Sequence, residues 1–103
     1  MYHFAFYVPI LHCEDVKNAI FEAGAGQVGN YKNCSWQTLG EGQFEPMDGS
    51  KPYQGNEGSL ETLGEYRVEM VCSDSFIKSA VEALKNSHPY EEPAYTVTQM
   101  MEF

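Results

Sequence analysis

The residues best suited to chemistry lie in one short segment, His88-Pro89-Tyr90-Glu91-Glu92-Pro93. Imidazole and carboxylate groups are ligand types for zinc or copper, and the two prolines restrict the backbone around them. One histidine and two glutamates in so short a stretch cannot readily fill a metal shell alone. The alternative is a plain helix-to-strand connector whose polar groups bond to nearby backbone.

A further ligand is predicted from the far end of the sequence. If a last strand runs antiparallel to the first and starts beside its end, His12 and Cys13 come close to this segment. We therefore predict His88, Glu91 and His12 as candidate ligands of a divalent metal ion, zinc or copper. The connector interpretation remains open beside it.

Three other patterns are candidates for functional sites. Gly24-Ala25-Gly26-Gln27-Val28-Gly29 matches the G-x-G-x-x-G spacing, but it follows a helix instead of opening one, so a helix end and tight turn are favoured over dinucleotide binding. Cys13 at a helix N-terminus could act as a nucleophile, although no partner base is visible. Trp36, Phe44 and Tyr53 could form a ligand platform or an oligomer contact. No catalytic or cofactor-binding residue is predicted.

The composition excludes several classes of protein. The 103 residues carry fifteen acidic against six basic side chains, a net charge of −9, so nucleic acid is an improbable partner. No apolar run approaches the roughly 20 residues of a membrane helix, and the N-terminus lacks the basic start of a secretory signal. Three cysteines without a CxxC spacing indicate a reduced cytoplasm rather than a disulfide framework.

The elements that must position these residues follow from hydrophobic periodicity. Both predicted helices carry an apolar stripe, the second one formed by Ile77, Ala80, Val81 and Leu84 and capped by Ser73 or Asp74. A Gly- and Pro-rich loop at 47–58 is long for a small domain, which hints at binding or docking. Strands are predicted at 2–8, 31–39, 60–72 and 94–101, the second one broken by Gly40 and Gly42.

This β-α-β-β-α-β order predicts one domain over residues 1–103, of the α+β, ferredoxin-like class, with both helices on one face of an antiparallel sheet. The other face of the sheet then needs cover. Because aromatic strands would leave apolar surface exposed there, self-association is predicted.

Several linked motifs resemble the insert domain of the Nif-three proteins, the Ngg-one interacting factor family. They are residues 29–36 and 40–46, the spaced Gly49, Pro52, Gly55 and Gly58, residues 65–69, and residues 88–95. The His-Pro-Tyr-Glu element also looks like CutA, a trimeric PII-like protein linked with divalent-cation tolerance. The flanking α/β halves of full Nif-three proteins, which hold a dinuclear metal site, are expected to be absent here.

The resemblance implies a PII/CutA-like fold, a tendency to form a homo-oligomer with a trimer favoured, and a regulatory or metal-associated role. We therefore predict a non-enzymatic, cytoplasmic binding or regulatory domain for a divalent metal ion or a small metabolite. The alternative is a protein-interaction module that docks through the 47–58 loop.

Overall fold

The computed structural model describes residues 1–103 as a four-stranded antiparallel sheet with two helices. A 3-10 turn at Ile10–His12 joins the first strand to the first helix. The strands are ordered β2-β3-β1-β4 across the sheet, so the ferredoxin-like prediction is confirmed. The elements are β1 (Tyr2–Pro9), α1 (Cys13–Glu22), β2 (Trp36–Phe44), β3 (Glu61–Cys72), α2 (Ile77–Ser87) and β4 (Tyr95–Gln99).

The core lies between the sheet and the two helices. Alternate residues of β1 and β3 point towards the helices, as the period of two in a strand requires, and Phe4 pairs with Met70 while Phe6 pairs with Val68. The predicted apolar stripes supply the opposite side of this layer. Its fully buried side chains include Phe4, Phe6, Val8, Val16, Ile20, Val68, Ala80 and Leu84. Neither helix is long and apolar enough to cross a membrane.

The ends of α2 differ partly from the prediction. Phe76 occupies the N-cap position without a side-chain cap bond, and the Ser73 carbonyl accepts the Phe76 N–H at 3.1 Å. Asp74 instead pairs with the N-terminal amine of Met1. At the other end His88 has an extended backbone, with ψ of 138°, because a residue before proline avoids the helical region.

Strand β2 lies further along the chain than predicted. It runs over Trp36–Phe44, so Gly40 and Gly42 are inside the strand instead of breaking it. Gly40 pairs with Glu65 and Gly42 with Leu63. The pairing with the long strand β3 therefore outweighs the weak strand propensity of glycine.

The sheet face away from the helices is mainly polar on β1 and β3, although the exposed Trp36 of β2 lies on it opposite Glu69. His3 bonds to Glu69 at 3.0 Å, and Arg67 donates to the Tyr7 hydroxyl at 2.9 Å. The strand alternation places polar side chains of β1 and β3 opposite each other, so they satisfy one another.

Candidate functional site

A pocket lies where the loop between β2 and β3, residues 45–60, folds back against residues 88–93, which we call the box. Its volume is about 210 Å³. The pocket joins the two segments that the sequence singled out separately, the glycine-rich loop and the histidine-containing connector. Its lining residues are Phe44, Pro46, Ser50, Pro52, Tyr53, Tyr90, Glu91 and Glu92.

The 45–60 loop is held in a defined shape. Its two ends meet where the Gly58 N–H donates to the Pro46 carbonyl at 2.8 Å, and Pro46 itself is buried. The backbone N–H of Lys51 donates to Oε1 of Glu91 in the box at 3.0 Å. These contacts hold the loop against the box, and fixing the loop in advance lowers the entropy cost of binding.

Three aromatic rings form a continuous wall centred on Tyr90. The Tyr90 ring lies 6.1 Å from Phe44 and 6.0 Å from Tyr53, centroid to centroid, in tilted arrangements. The Tyr53 hydroxyl bonds to Nε2 of His12 at 2.9 Å. The wall thus combines residues from the end of β2, the loop and the box.

Tyr90 is oriented by an acidic residue of β3. Its hydroxyl donates to Oε2 of Glu65 at 2.8 Å. Burial raises the pKa of the Tyr90 hydroxyl, and the Glu65 carboxylate raises it further. Tyr90 therefore stays protonated and keeps donating well above neutral pH.

His88 lies next to Tyr90, with the two ring centroids 4.8 Å apart, and is buried, with 7% of its surface exposed. Its Nε2 atom lies 2.7 Å from the Tyr7 carbonyl oxygen, and its Nδ1 accepts the Tyr90 N–H at 3.1 Å. A carbonyl only accepts and an amide only donates, so these partners assign the proton to Nε2. Burial lowers the pKa of His88 in spite of the Tyr7 hydrogen bond, which favours the neutral ring.

Nearly the whole chain is similar in sequence to segments of longer known proteins. No known family model matches it. It is 45% identical to a protein of Mycobacterium leprae named GTP cyclohydrolase 1 type 2 homolog, over 88% of this chain and 24% of that protein. The homolog from Bacillus subtilis is 44% identical over 90% of this chain and 25% of its own length.

Among solved structures, a Bacillus cereus protein related to NIF3 superposes with a TM-score of 0.83 at 35% identity, covering 98% of this chain and 26% of that one. This chain is a relative of one segment of the NIF3-related proteins. The predicted resemblance is thereby confirmed, and the NIF3-related domain spans about a quarter of the length of the relatives it matches.

The fold of this NIF3-related domain also occurs in CutA proteins. CutA from Archaeoglobus fulgidus, described as a periplasmic divalent cation tolerance protein, superposes with a TM-score of 0.69 at 14% identity, over 100% of this chain and 87% of its own. The PII-like CutA of Nostoc gives 0.68 at 17% identity, over 97% of this chain and 81% of its own. At such identities the likeness shows the fold alone.

The three candidate metal ligands of the NIF3-related domain do not converge on one point. Both ring nitrogens of His88 are held by backbone groups, Glu91 accepts from Lys51 and His12 bonds to Tyr53. No group of three His, Cys, Asp or Glu side chains is placed to hold a metal ion. In this arrangement each of the three candidate ligands is engaged by another group of the protein, and the connector interpretation describes the contacts of His88.

Cys13 of the NIF3-related domain is buried in the core. Its Sγ lies 3.6 Å from Oε1 of Gln37, which also accepts from Lys17 at 2.9 Å. Burial raises the pKa of the Cys13 thiol. A nucleophile needs the thiolate and an approach for its substrate, and Cys13 has neither.

The sequence missed one residue of the site and misplaced another. Phe44 and Tyr53 line the pocket as the platform interpretation suggested, but Trp36 lies outside it and is 60% exposed. Glu65 belongs to the family-like motif 65–69, but the sequence does not predict its role in fixing Tyr90. That role depends on the β3 register, which pairs Glu65 with Pro9 at the end of β1 and which one sequence does not provide.

Proposed function

We propose that this NIF3-related domain is a non-enzymatic binding or regulatory domain whose ligand lies in the pocket between the 45–60 loop and the box. The observation that carries the proposal is the fixed aromatic wall of Phe44, Tyr90 and Tyr53 above a pocket of about 210 Å³. Concave sites with apolar walls and a few polar groups are the usual form of small-ligand sites. Glu91 and Glu92 supply the polar groups at this one.

The absence of catalysis is part of the proposal. The buried Cys13 is held as a thiol, and His88 uses both ring nitrogens for backbone bonds. General acid–base work needs a titratable group within reach of a substrate proton. The relatives are named for GTP cyclohydrolase, but this chain spans only about a quarter of them, so we do not assign that activity to it.

Self-association, with a trimer favoured, is a second part of the proposal. Self-association is supported by exposed apolar side chains elsewhere on the surface. Leu11 is 89% exposed and Leu39 is 59% exposed. Leu39 lies on β2, which is an edge strand whose outer side has no partner. Unpaired edges and exposed apolar side chains favour association. Light scattering at micromolar concentration tests this, and a monomer would contradict it.

Docking of a protein partner through residues 47–58 is the second candidate function. Met47 is 78% and Tyr53 47% exposed on this loop, and exposed methionine and tyrosine are common at protein interfaces. The three free cysteines support a reducing compartment such as the cytoplasm for either function.

Amide chemical shifts of the 15N-labelled domain test the pocket against a mixture of small cationic, anionic and neutral fragments. We expect shifts concentrated at Tyr53, Tyr90 and Glu91. Tyr53→Ala should weaken them, whereas Tyr31→Ala, at an exposed tyrosine outside the lining, should not. Shifts elsewhere, or none with any fragment, would refute the pocket as the ligand site.

A further inference from the structure

The walls of the pocket favour one kind of chemical group. The rings of Phe44, Tyr53 and Tyr90 share this wall. An aromatic face carries negative electrostatic potential and attracts ammonium and guanidinium groups. Tyr90 is the strongest of the three in this respect, because its hydroxyl donates to the Glu65 carboxylate, which shifts electron density towards the ring.

The charges around the pocket also favour a positively charged group. Glu91 and Glu92 line it directly, and no lysine or arginine does. Glu91 has one oxygen engaged by the Lys51 N–H, and Glu92 is exposed at the rim. The flanking loop adds Glu45, Asp48 and Glu57 against the single Lys51. This local excess lies in a protein of net charge −9, so a cation is drawn to the pocket.

Two other ligand classes fit less well. Phosphate-bearing ligands are repelled by the same carboxylates, and no helix N-terminus or basic side chain lines the pocket to hold them. A volume of about 210 Å³ is below the roughly 300–1,000 Å³ of drug-sized sites, so a small head group fits better than a whole nucleotide. A bare metal ion would find no group of three ligating side chains.

We infer that the pocket binds an organic cation, an ammonium or guanidinium head group on a short chain. This inference rests on the proposed function, since it names the ligand class of the same pocket. The head group stacks on the aromatic wall and pairs with Glu92 and the free oxygen of Glu91. The group can belong to a free amine or to an arginine or lysine side chain of a basic segment, because both present the same chemistry.

Butylguanidinium and butylurea test the inference as a matched pair, because they have nearly the same shape and differ in charge. We expect butylguanidinium to shift the amides of Tyr53, Tyr90 and Glu91 at millimolar concentration, and butylurea to bind at least several-fold more weakly. Glu92→Gln should weaken butylguanidinium about two- to fivefold, the range of an exposed cation–π or ion pair. Glu22→Gln, which removes the same charge at the exposed C-terminal end of α1 and outside the pocket lining, should leave the affinity unchanged.

The outcomes separate the inference from the proposed function. Equal binding of butylurea, or stronger binding of a proline-rich peptide or an anionic fragment at these residues, would overturn the cation inference and keep the pocket as a ligand site. No binding of any fragment would overturn both. An acetylated Gly-Arg-Gly amide that binds more tightly than butylguanidinium would assign the cation to a basic segment, and weaker binding of that peptide would assign it to a free amine.

Discussion

The Tyr90 hydroxyl reaches Oε2 of Glu65 because Gly42 leaves room for the glutamate side chain. A Cβ atom on Gly42 would lie 1.7 Å from Oε1 of Glu65 and 2.5 Å from its Cδ. Gly42 lies in the extended strand β2 and its φ is not positive. Glycine is therefore needed here because it has no side chain to clash with Glu65, and not because of its backbone conformation. One glycine, one carboxylate and one phenol therefore set the position of the central ring of the pocket.

Gly42→Ala should displace Glu65 and break its bond to Tyr90. We expect a loss of about 1.5–3 kcal/mol in the free energy of unfolding, the usual contribution of a hydrogen bond to a charged group. Gly40→Ala is the control, because nothing lies within 4 Å of its added Cβ, and it should be neutral or slightly stabilising. Urea unfolding measures both. Equal effects of the two changes would contradict the packing role of Gly42.

Tyr90 should ionise at a higher pH than an ordinary tyrosine. Burial and Glu65 raise its pKa, so an alkaline absorbance titration of the seven tyrosines should show a late component that Tyr90→Phe removes. The unfolded chain releases this proton at about pH 10, so the stabilising contribution is complete below that pH and is lost as the pH rises further. A titration in which wild type and Tyr90→Phe differ only by an ordinary tyrosine would contradict the buried geometry.

His88 should make the domain less stable in mild acid. Its folded pKa is lowered by burial, whereas the unfolded value is about 6.5. Stability is therefore complete above about pH 6.5 and is lost as the pH falls towards the folded pKa, by about 1.4 kcal/mol for each unit of the shift. His88→Gln should remove this slope between about pH 7 and pH 5 in urea unfolding, while His3 and His12 remain as an internal control. An unchanged slope would mean that His88 is not buried as a neutral ring.

More of the fold than of the candidate site could be predicted from the sequence. The alternation of apolar residues in β1 and β3 and the apolar stripe of α2 are local signals, and these residues form most of the core. The start of β2 at Trp36 depends on pairing with β3, which no local pattern encodes. The same holds for the contact of Glu65 with Tyr90, because the two residues lie far apart in the chain and meet only through sheet register. The strand order did predict His12 near the box, but its bond to Tyr53 depends on the fold of the 45–60 loop.

Ala80→Asp should unfold the domain. Ala80 is fully buried between α2 and the sheet, so the substitution would bury an unpaired carboxylate at a cost of several kcal/mol, against a total stability of roughly 5–15 kcal/mol. Ser79→Asp introduces the same group at the neighbouring exposed position of α2 and should keep a native circular dichroism spectrum. A native spectrum for Ala80→Asp would mean that the buried face of α2 is misassigned.

Zinc or copper binding at His88, Glu91 and His12 remains a prediction. It would require His88 to lose one of its two hydrogen bonds to the backbone. A metal can take an imidazole nitrogen only if the ring gives up the Tyr7 carbonyl or the Tyr90 amide, and losing a partner in a buried site costs about 1–3 kcal/mol. Any affinity should therefore be weak, and it should fall as the pH drops through the histidine range, because protons compete with the metal for the same nitrogen.

Calorimetric titration of zinc and copper into untagged wild type, His88→Ala and His3→Ala measures this. His3 pairs with Glu69 on the polar sheet face, so its loss should change nothing if the metal binds at the box. Equal affinity of wild type and His88→Ala would remove His88 as a ligand, and no uptake by any of the three proteins would leave His88 as the buried connector that its two backbone bonds describe.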